Sequence, residues 1–230
     1  MRLDLLNKEE LPGNMIKKIF LILVFLIGLK SYAQSDRNQF LGLNILQLPA
    51  STINFNYSIE LKPFLTTIAD LGYAFGYHDE YDVIGYILTR HIDLYDGYSL
   101  EKQSGGYIKI GGYYNLRSVF EKQNYFHLGL FITNSIVHEK GLFMSLNDSR
   151  PYSYAQEIEH TVYLPGLNAS LGYELKIANR LKTSVDFQLS TPTDRYLKLY
   201  SYSNFIPGMG YKGSLDRWFP MLILNLKYRL

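Results

Sequence analysis

Apolar and polar residues alternate with a period of two over long stretches of this chain. In Arg180–Ser190 the side chains of Leu181, Thr183, Val185, Phe187 and Leu189 fall on one side, and those of Lys182, Ser184, Asp186, Gln188 and Ser190 on the other. Successive side chains of an extended strand point to opposite faces, so this pattern predicts a strand with one apolar and one wet face. The same test picks out Phe40–Leu48, Thr52–Lys62, Ile68–His78, Gly106–Arg117, Asn124–His138, a segment ending at Ile177, and Trp218–Leu230. Thr52–Lys62 is representative: Ile53, Phe55, Tyr57, Ile59 and Leu61 oppose Asn54, Asn56, Ser58, Glu60 and Lys62.

Two further properties of the pattern choose between a soluble sheet and a membrane barrel. The segments run longer than the five or six residues usual in globular sheets and match the roughly 9–11 that a tilted strand needs to cross a bilayer. The connections also alternate in length. Lys62–Thr67, Ser118–Gln123 and Ala178–Arg180 are short, whereas Asp79–Gly105, Glu139–Glu159 and Thr193–Asp216 are long, with Leu48–Ser51 the short exception on their side. Short turns on one side and long loops on the other are the layout of a bacterial outer-membrane barrel. The expectation is therefore an all-β fold, an eight-stranded antiparallel up-and-down transmembrane β-barrel. Asp82–Arg90 and Leu94–Glu101 leave open an added hairpin and ten strands.

In a barrel of eight strands the interior is just wide enough for side chains to fill it. The wet face carries Glu60, Lys62, Asp70, Lys109, Arg117, Glu174, Lys176, Lys182, Asp186, Lys227 and Arg229. Left alone, each would cost several kcal/mol to enclose. A polar, side-chain-filled interior with a mixed-sign charge network follows, and an open pore does not. The alternative is a secreted lipocalin-like carrier that turns its apolar face inward around a ligand.

The N-terminal region fixes an expected route. After Met15 come Lys17 and Lys18, the uncharged apolar run Ile19–Leu29, then Ser31 and Ala33 before Gln34. That run is shorter than the roughly 17–25 residues of a spanning helix and has the build of a secretory signal peptide. Residues 1–33 are read as the signal region, with Met15 as the true start, cleavage between Ala33 and Gln34, and residues 34–230 as the barrel. The absence of cysteine removes both a lipid-anchored cleavage site and disulfide stapling. A formal charge of +2 argues against a nucleic-acid partner. The 21 tyrosines suit places where apolar and wet surroundings meet.

The C-terminal LILNLKYRL places apolar or aromatic residues at alternate positions up to the end. It resembles the terminal strand that the outer-membrane assembly machinery reads in Gram-negative barrels, with Leu230 where that strand usually ends in Phe and without its earlier glycine. Together with SYAQ at the cleavage site, the chain is similar to the small, largely uncharacterised outer-membrane β-barrel proteins of Bacteroidetes-type bacteria. The resemblance implies the outer membrane as location, and outer-membrane lipid and the assembly machinery as partners.

Candidate chemistry is sparse. His78, His138 and His160 fall near the predicted outer rim beside Asp79, Glu139 and Glu159, where they could serve a metal or a lipid-hydrolysing site. Rim histidines are more often ordinary polar residues at strand ends. His78–Asp82 gathers carboxylates but lacks the turn glycine and ligand alternation of a calcium loop. No zinc spacing, phosphate-cradling glycine loop or His-x-Ser signature occurs, and no cofactor is expected. Arg195–Phe205 alternates basic and aromatic residues and is read as a continuation of the last hairpin above the membrane. The Tyr-bearing loop Leu142–Gln156 suits surface recognition. The expected role is structural or surface-recognising, with a lipid-modifying barrel enzyme as the alternative.

Overall fold

The computed structural model describes residues 38–48, 51–77, 88, 98–116, 124–147, 150–195, 205–211 and 217–230. The chain divides into two units, Met1–Arg37 and Asn38–Leu230. The first unit lies outside the described residues, and with it the expected signal region and the expected cleavage between Ala33 and Gln34.

The second unit is built from β1 (Gln39–Asn44), β2 (Thr52–Lys62), β3 (Leu65–Tyr77), β4 (Tyr98–Leu116), β5 (Tyr125–Asn147), β6 (Arg150–Lys176), β7 (Leu181–Pro192), β8 (Phe205–Ile206), β9 (Gly210–Tyr211) and β10 (Phe219–Arg229). Eight of these strands form a closed antiparallel barrel in the order β1-β10-β7-β6-β5-β4-β3-β2. Closure is made by β1 on β10, with Phe40 opposite Arg229 and Asn44 opposite Asn225. The closed barrel has eight strands, not the alternative ten, and Tyr98–Glu101 is the first part of β4; residues 82–90, apart from Leu88, and residues 94–97 lie outside the described residues. The barrel termini and the short turns Pro63–Phe64 and Ala178–Arg180 lie at one end, called inner here.

Alternation sets the two faces. Leu41, Phe55, Leu71, Ile108, Ile110, Leu128, Leu130, Ile132, Leu167, Leu171, Val185, Phe187 and Leu226 all point outward and are exposed, Leu130 to 73%. Near the inner end this band is edged by Phe64 with Tyr114 and by Phe126 with Tyr173, and near the outer end by Tyr73 with Phe75. Tyr163 and Trp218 add to the outer edge. Inward positions are buried and mostly polar. Gly42, Gly72, Gly129 and Gly172 leave room for them: a Cβ at Gly172 would collide with Asp186 and His127, and one at Gly72 with Tyr107.

All three expectations about the long connections fail in part. Asp79–Gly105, read as a loop, is strand from Tyr98 onward, where β4 pairs with β5. Glu139–Glu159, read as a loop, is strand over its described residues: β5 and β6 pair without interruption from Tyr125–Glu174 up to Ser145–Tyr154, and after a register shift Asn147 stands opposite Arg150. The Tyr-bearing stretch Leu142–Gln156 is thus the tip of a long hairpin. Glu139, Lys140, Glu157 and Glu159 interrupt the apolar positions on either side of it, which masked the period. The third failure concerns Thr193–Asp216. Within it β8 and β9 form a separate two-stranded hairpin, and every residue from Phe205 to Tyr211 is buried. Phe205 does not belong to a strand continuing above the barrel. The rest of the Arg195–Phe205 stretch, from 196 to 204, lies outside the described residues.

Candidate functional site

The lumen is the site that the fold builds, and it has two halves of different character. The inner half holds charge. Lys182 Nζ donates to Glu60 Oε1 at 2.9 Å and to Glu174 Oε1 at 2.8 Å. Lys227 Nζ donates to Glu174 Oε2 at 2.9 Å, and the Tyr125 hydroxyl also donates to Glu174. Both cations lie against aromatic faces, Lys182 over Phe40 at 4.3 Å and Lys227 over Tyr113 at 5.4 Å from the ring centres. A cation over a ring face is attracted by its quadrupole, which offsets part of the desolvation.

Midway along the lumen Lys109 pairs with Asp70 at 2.9 Å and donates to Gln188 Oε1 at 3.1 Å. Asp70 Oδ1 also receives Asn54 Nδ2 at 2.6 Å and the Tyr107 hydroxyl at 3.3 Å. On the facing wall His127 Nε2 lies 2.5 Å from Asp186 Oδ1, and Ser184 Oγ donates to Asp186 Oδ2 at 2.9 Å. A buried carboxylate keeps its charge only if partners of this kind replace the lost water.

The outer half holds the β8–β9 hairpin. Its turn runs Ile206-Pro207-Gly208-Met209, with Met209 N–H donating to the Ile206 carbonyl at 2.9 Å. Gly208 has φ +77° and Gly210 φ +113°. Proline followed by a glycine at positive φ is what a type II turn requires. The carbonyls at the tip are each held by lumen side chains. Ser135 Oγ donates to Pro207 O at 2.6 Å, Ser190 Oγ to Met209 O at 2.6 Å, and both Asn168 Nδ2 and Gln188 Nε2 to Gly208 O at 3.1 Å. Ile206 and Met209 pack with Val137, Val162, Leu164 and Phe219, while Phe205 and Tyr211 pack with Ala74 and Leu88. Burying each large apolar side chain contributes about 1.5–3 kcal/mol, which with the pinned carbonyls holds the hairpin inside.

The residues proposed from sequence are distributed as follows. Glu60, Asp70, Lys109, Glu174, Lys182, Asp186 and Lys227 lie in the lumen in the contacts given above. Lys176 is half-buried at the inner end, and its backbone N–H donates to Asn124 Oδ1 at 3.0 Å. Lys62 and Arg229 are exposed at the inner end, Lys62 over the Phe64 ring at 5.6 Å. These two positions are the last of their strands, where the inward direction opens to the surroundings. Arg117 and His78 lie outside the described residues.

The two described rim histidines do not share a site. His138 is on the outer wall, 3.0 Å from Thr161 Oγ1 and 3.2 Å from Glu159 Oε1. His160 is the register partner of Glu139, with Nε2 3.3 Å from its Oε2, and turns toward the lumen with Val162 and Leu164. Among the described residues no group of three or more His, Cys, Asp or Glu side chains is placed to hold a metal. Around Lys140, Glu157 lies at 2.5 Å and Glu101 at 3.8 Å. The hydrogen bond and charge of Glu157 hold the Lys140 ammonium above its ordinary pKa.

Sequence reasoning missed His127, Tyr107, Asn168, Gln188 and the entire hairpin. A signal for the hairpin was present. In Trp218–Leu224 and Val162–Pro165 both faces are apolar, which in a barrel wall requires an apolar filling, and Pro207-Gly208 marks a tight turn.

No family model matches the chain, and no curated protein does. Solved structures do resemble it. Neisserial surface protein A is 8% identical with a TM-score of 0.42, over 84% of this chain and 94% of that one. The N-terminal β-barrel domain of Pseudomonas aeruginosa OprF is 8% identical with a TM-score of 0.38, over 85% and 98%. A major outer membrane protein from Thermus thermophilus is 12% identical with a TM-score of 0.43, over 85% and 100%.

Proposed function

We propose that this protein is an integral outer-membrane barrel that does not conduct and that serves a structural or surface-recognising role through its outer end. The observation that carries the reading is the filled lumen, with an ion-paired inner half and an outer half occupied by the chain's own hairpin. A filled eight-stranded lumen offers no aqueous path of the kind that barrels of many more strands provide. The membrane setting is supported by the exposed apolar band between two aromatic edges, which water would disfavour and lipid accepts. A carrier with a ligand inside would compete with Phe205–Tyr211 for the same volume. Export by the signal region, cleavage before Gln34, handling by the barrel assembly machinery and contact with outer-membrane lipid belong to the same proposal.

The test is fractionation of the native host with gels of boiled and unboiled protein, followed by planar-bilayer recording of the purified barrel. The expected result is recovery in the outer membrane, faster migration before boiling, Gln34 as the first residue, and no conductance steps. Recovery as a soluble monomer would overturn the membrane reading, and steady conductance would overturn the closed one.

A further inference from the structure

The barrel wall is of uneven height. Strand β7 pairs with β6 only from Gly166 to Lys176, while β5 follows β6 through Glu157 and beyond. Among the described residues no strand pairs with the other side of β6 from Glu157 to Leu164. The last contact on that side is Thr193 N–H donating to the Pro165 carbonyl at 3.0 Å. Backbone groups of a strand alternate sides with a period of two. The β5–β6 register shows no shift across this stretch. The N–H and C=O of Glu157, Glu159, Thr161 and Tyr163 therefore point away from β5, on the side of the Pro165 carbonyl, and among the described residues no strand receives them.

Such an edge is a template for another strand unless bulges, prolines or lysines blunt it. The corresponding free part of β4 is blunted, with a register shift between Leu100 and Lys102. The β6 edge has no proline between Pro151 and Pro165. Its outward side chains state what it accepts. Glu157 and Glu159 have side chains 58% and 59% exposed; Lys140 lies beside Glu157, and Tyr163 follows toward the apolar band. Two copies in one membrane share strand direction, so their β6 edges meet only in parallel, which would set each glutamate beside its like.

We propose that the β6 edge over Glu157–Tyr163 docks an extended cationic polypeptide segment, which adds as a strand to the outer end of the barrel. This rests on the surface-recognising role proposed above and names its partner chemistry. Main-chain hydrogen bonds would supply affinity, and alternate lysine or arginine side chains opposite the two glutamates would supply selectivity.

The experiment uses the full barrel folded in nanodiscs and three acetylated octapeptides: alternating lysine and valine, the same with every second amide N-methylated, and glutamate in place of lysine. The lysine peptide should bind at least about tenfold more tightly than the other two and slow amide exchange at Glu157, Glu159, Thr161 and Tyr163. Thr161→Pro removes an N–H that β5 does not use, so the variant should keep its heat-modifiable migration and lose about tenfold in affinity. The double variant Glu157→Lys/Glu159→Lys leaves the backbone untouched and should prefer the glutamate peptide. Absence of binding, equal binding of the N-methylated peptide, an unchanged charge preference, or protection elsewhere would each overturn the proposal. Fractionation and conductance read the membrane and closed-barrel proposal separately, so the two can fail independently.

Discussion

Replacing Glu174 by glutamine isolates the electrostatics of the inner lumen. The side chain keeps its shape and loses its charge, while three donors still face it: Lys182 at 2.8 Å, Lys227 at 2.9 Å, and Tyr125. The two lysines then part ways. Lys182 retains Glu60 at 2.9 Å, and its side chain is 16% exposed. Lys227 is 3% exposed, and among the described residues Glu174 is the one carboxylate within ion-pair distance of it. Breaking a buried pair while leaving one charge behind costs about 3–5 kcal/mol. The aromatic face of Tyr113 offsets a little of that, so Glu174→Gln should cost about 3 kcal/mol, or about a hundredfold in the unfolding equilibrium. Lys227→Met should cost less, because Glu174 keeps Lys182 and Tyr125. The double variant should cost less than the sum of the two, with a coupling of about 2 kcal/mol. Urea unfolding of the barrel in phospholipid vesicles gives the readout. Trp218 is the only tryptophan, and it sits at the outer end, away from the network, so its fluorescence follows the whole barrel. A loss below about 1 kcal/mol for Glu174→Gln, or strictly additive costs, would refute the reasoning.

Three further outcomes are expected. Leu130→Arg, on the most exposed part of the apolar band, should destabilise the vesicle-embedded barrel by about 2–4 kcal/mol in the same titration; a change within about 0.5 kcal/mol would mean that this face meets water. Gly208→Val places a branched side chain at φ +77° and against the Tyr107 ring, and should expel the hairpin. In a Met209→Cys background, whose thiol is the only one because the chain has no cysteine and is buried as Met209 is, an impermeant maleimide should label the Gly208→Val form at least about tenfold faster, as expected for a conformation disfavoured by more than about 1.4 kcal/mol. Phe219→Ala should cost about 3 kcal/mol by opening a cavity against Ile206 and Met209, measured by the shift in urea midpoint, while conductance stays at the baseline because the inner network remains.

The barrel itself was legible because its rule is local. Each strand such as Thr52–Lys62 states its own two faces, and closure follows from eight of them with short turns between. The charge network was legible as a set but not as pairs. That Lys227 meets Glu174 and Lys109 meets Asp70 depends on strand stagger around the barrel, which no single strand encodes. The hairpin was misread for a different reason. Its polar carbonyls are satisfied by Ser135, Asn168, Gln188 and Ser190, residues that in isolation look like ordinary members of a wet face. Only the doubly apolar Phe219–Ile223 announced that something greasy had to stand opposite. The height of β5 and β6 was hidden because Glu139, Lys140, Glu157 and Glu159 break the apolar period above the band without breaking the strand.

The wall also has a weak stave. The β1 segment is bonded to β10 only from Gln39 to Ile45 and to β2 only from Asn38 to Leu43, whereas β5 and β6 run together from Tyr125 to Asn147. Among the described residues the hairpin's tip carbonyls are pinned by β5, β6 and β7 and not by this stave. A cylinder held so unevenly should give way on heating at one place, with the amides of Leu41 and Leu43 exchanging before those of Leu130 and Ile132. The seam that is closed last in sequence order is then the first to unzip, and the tall β4–β6 face is the last part of the cylinder to lose its shape.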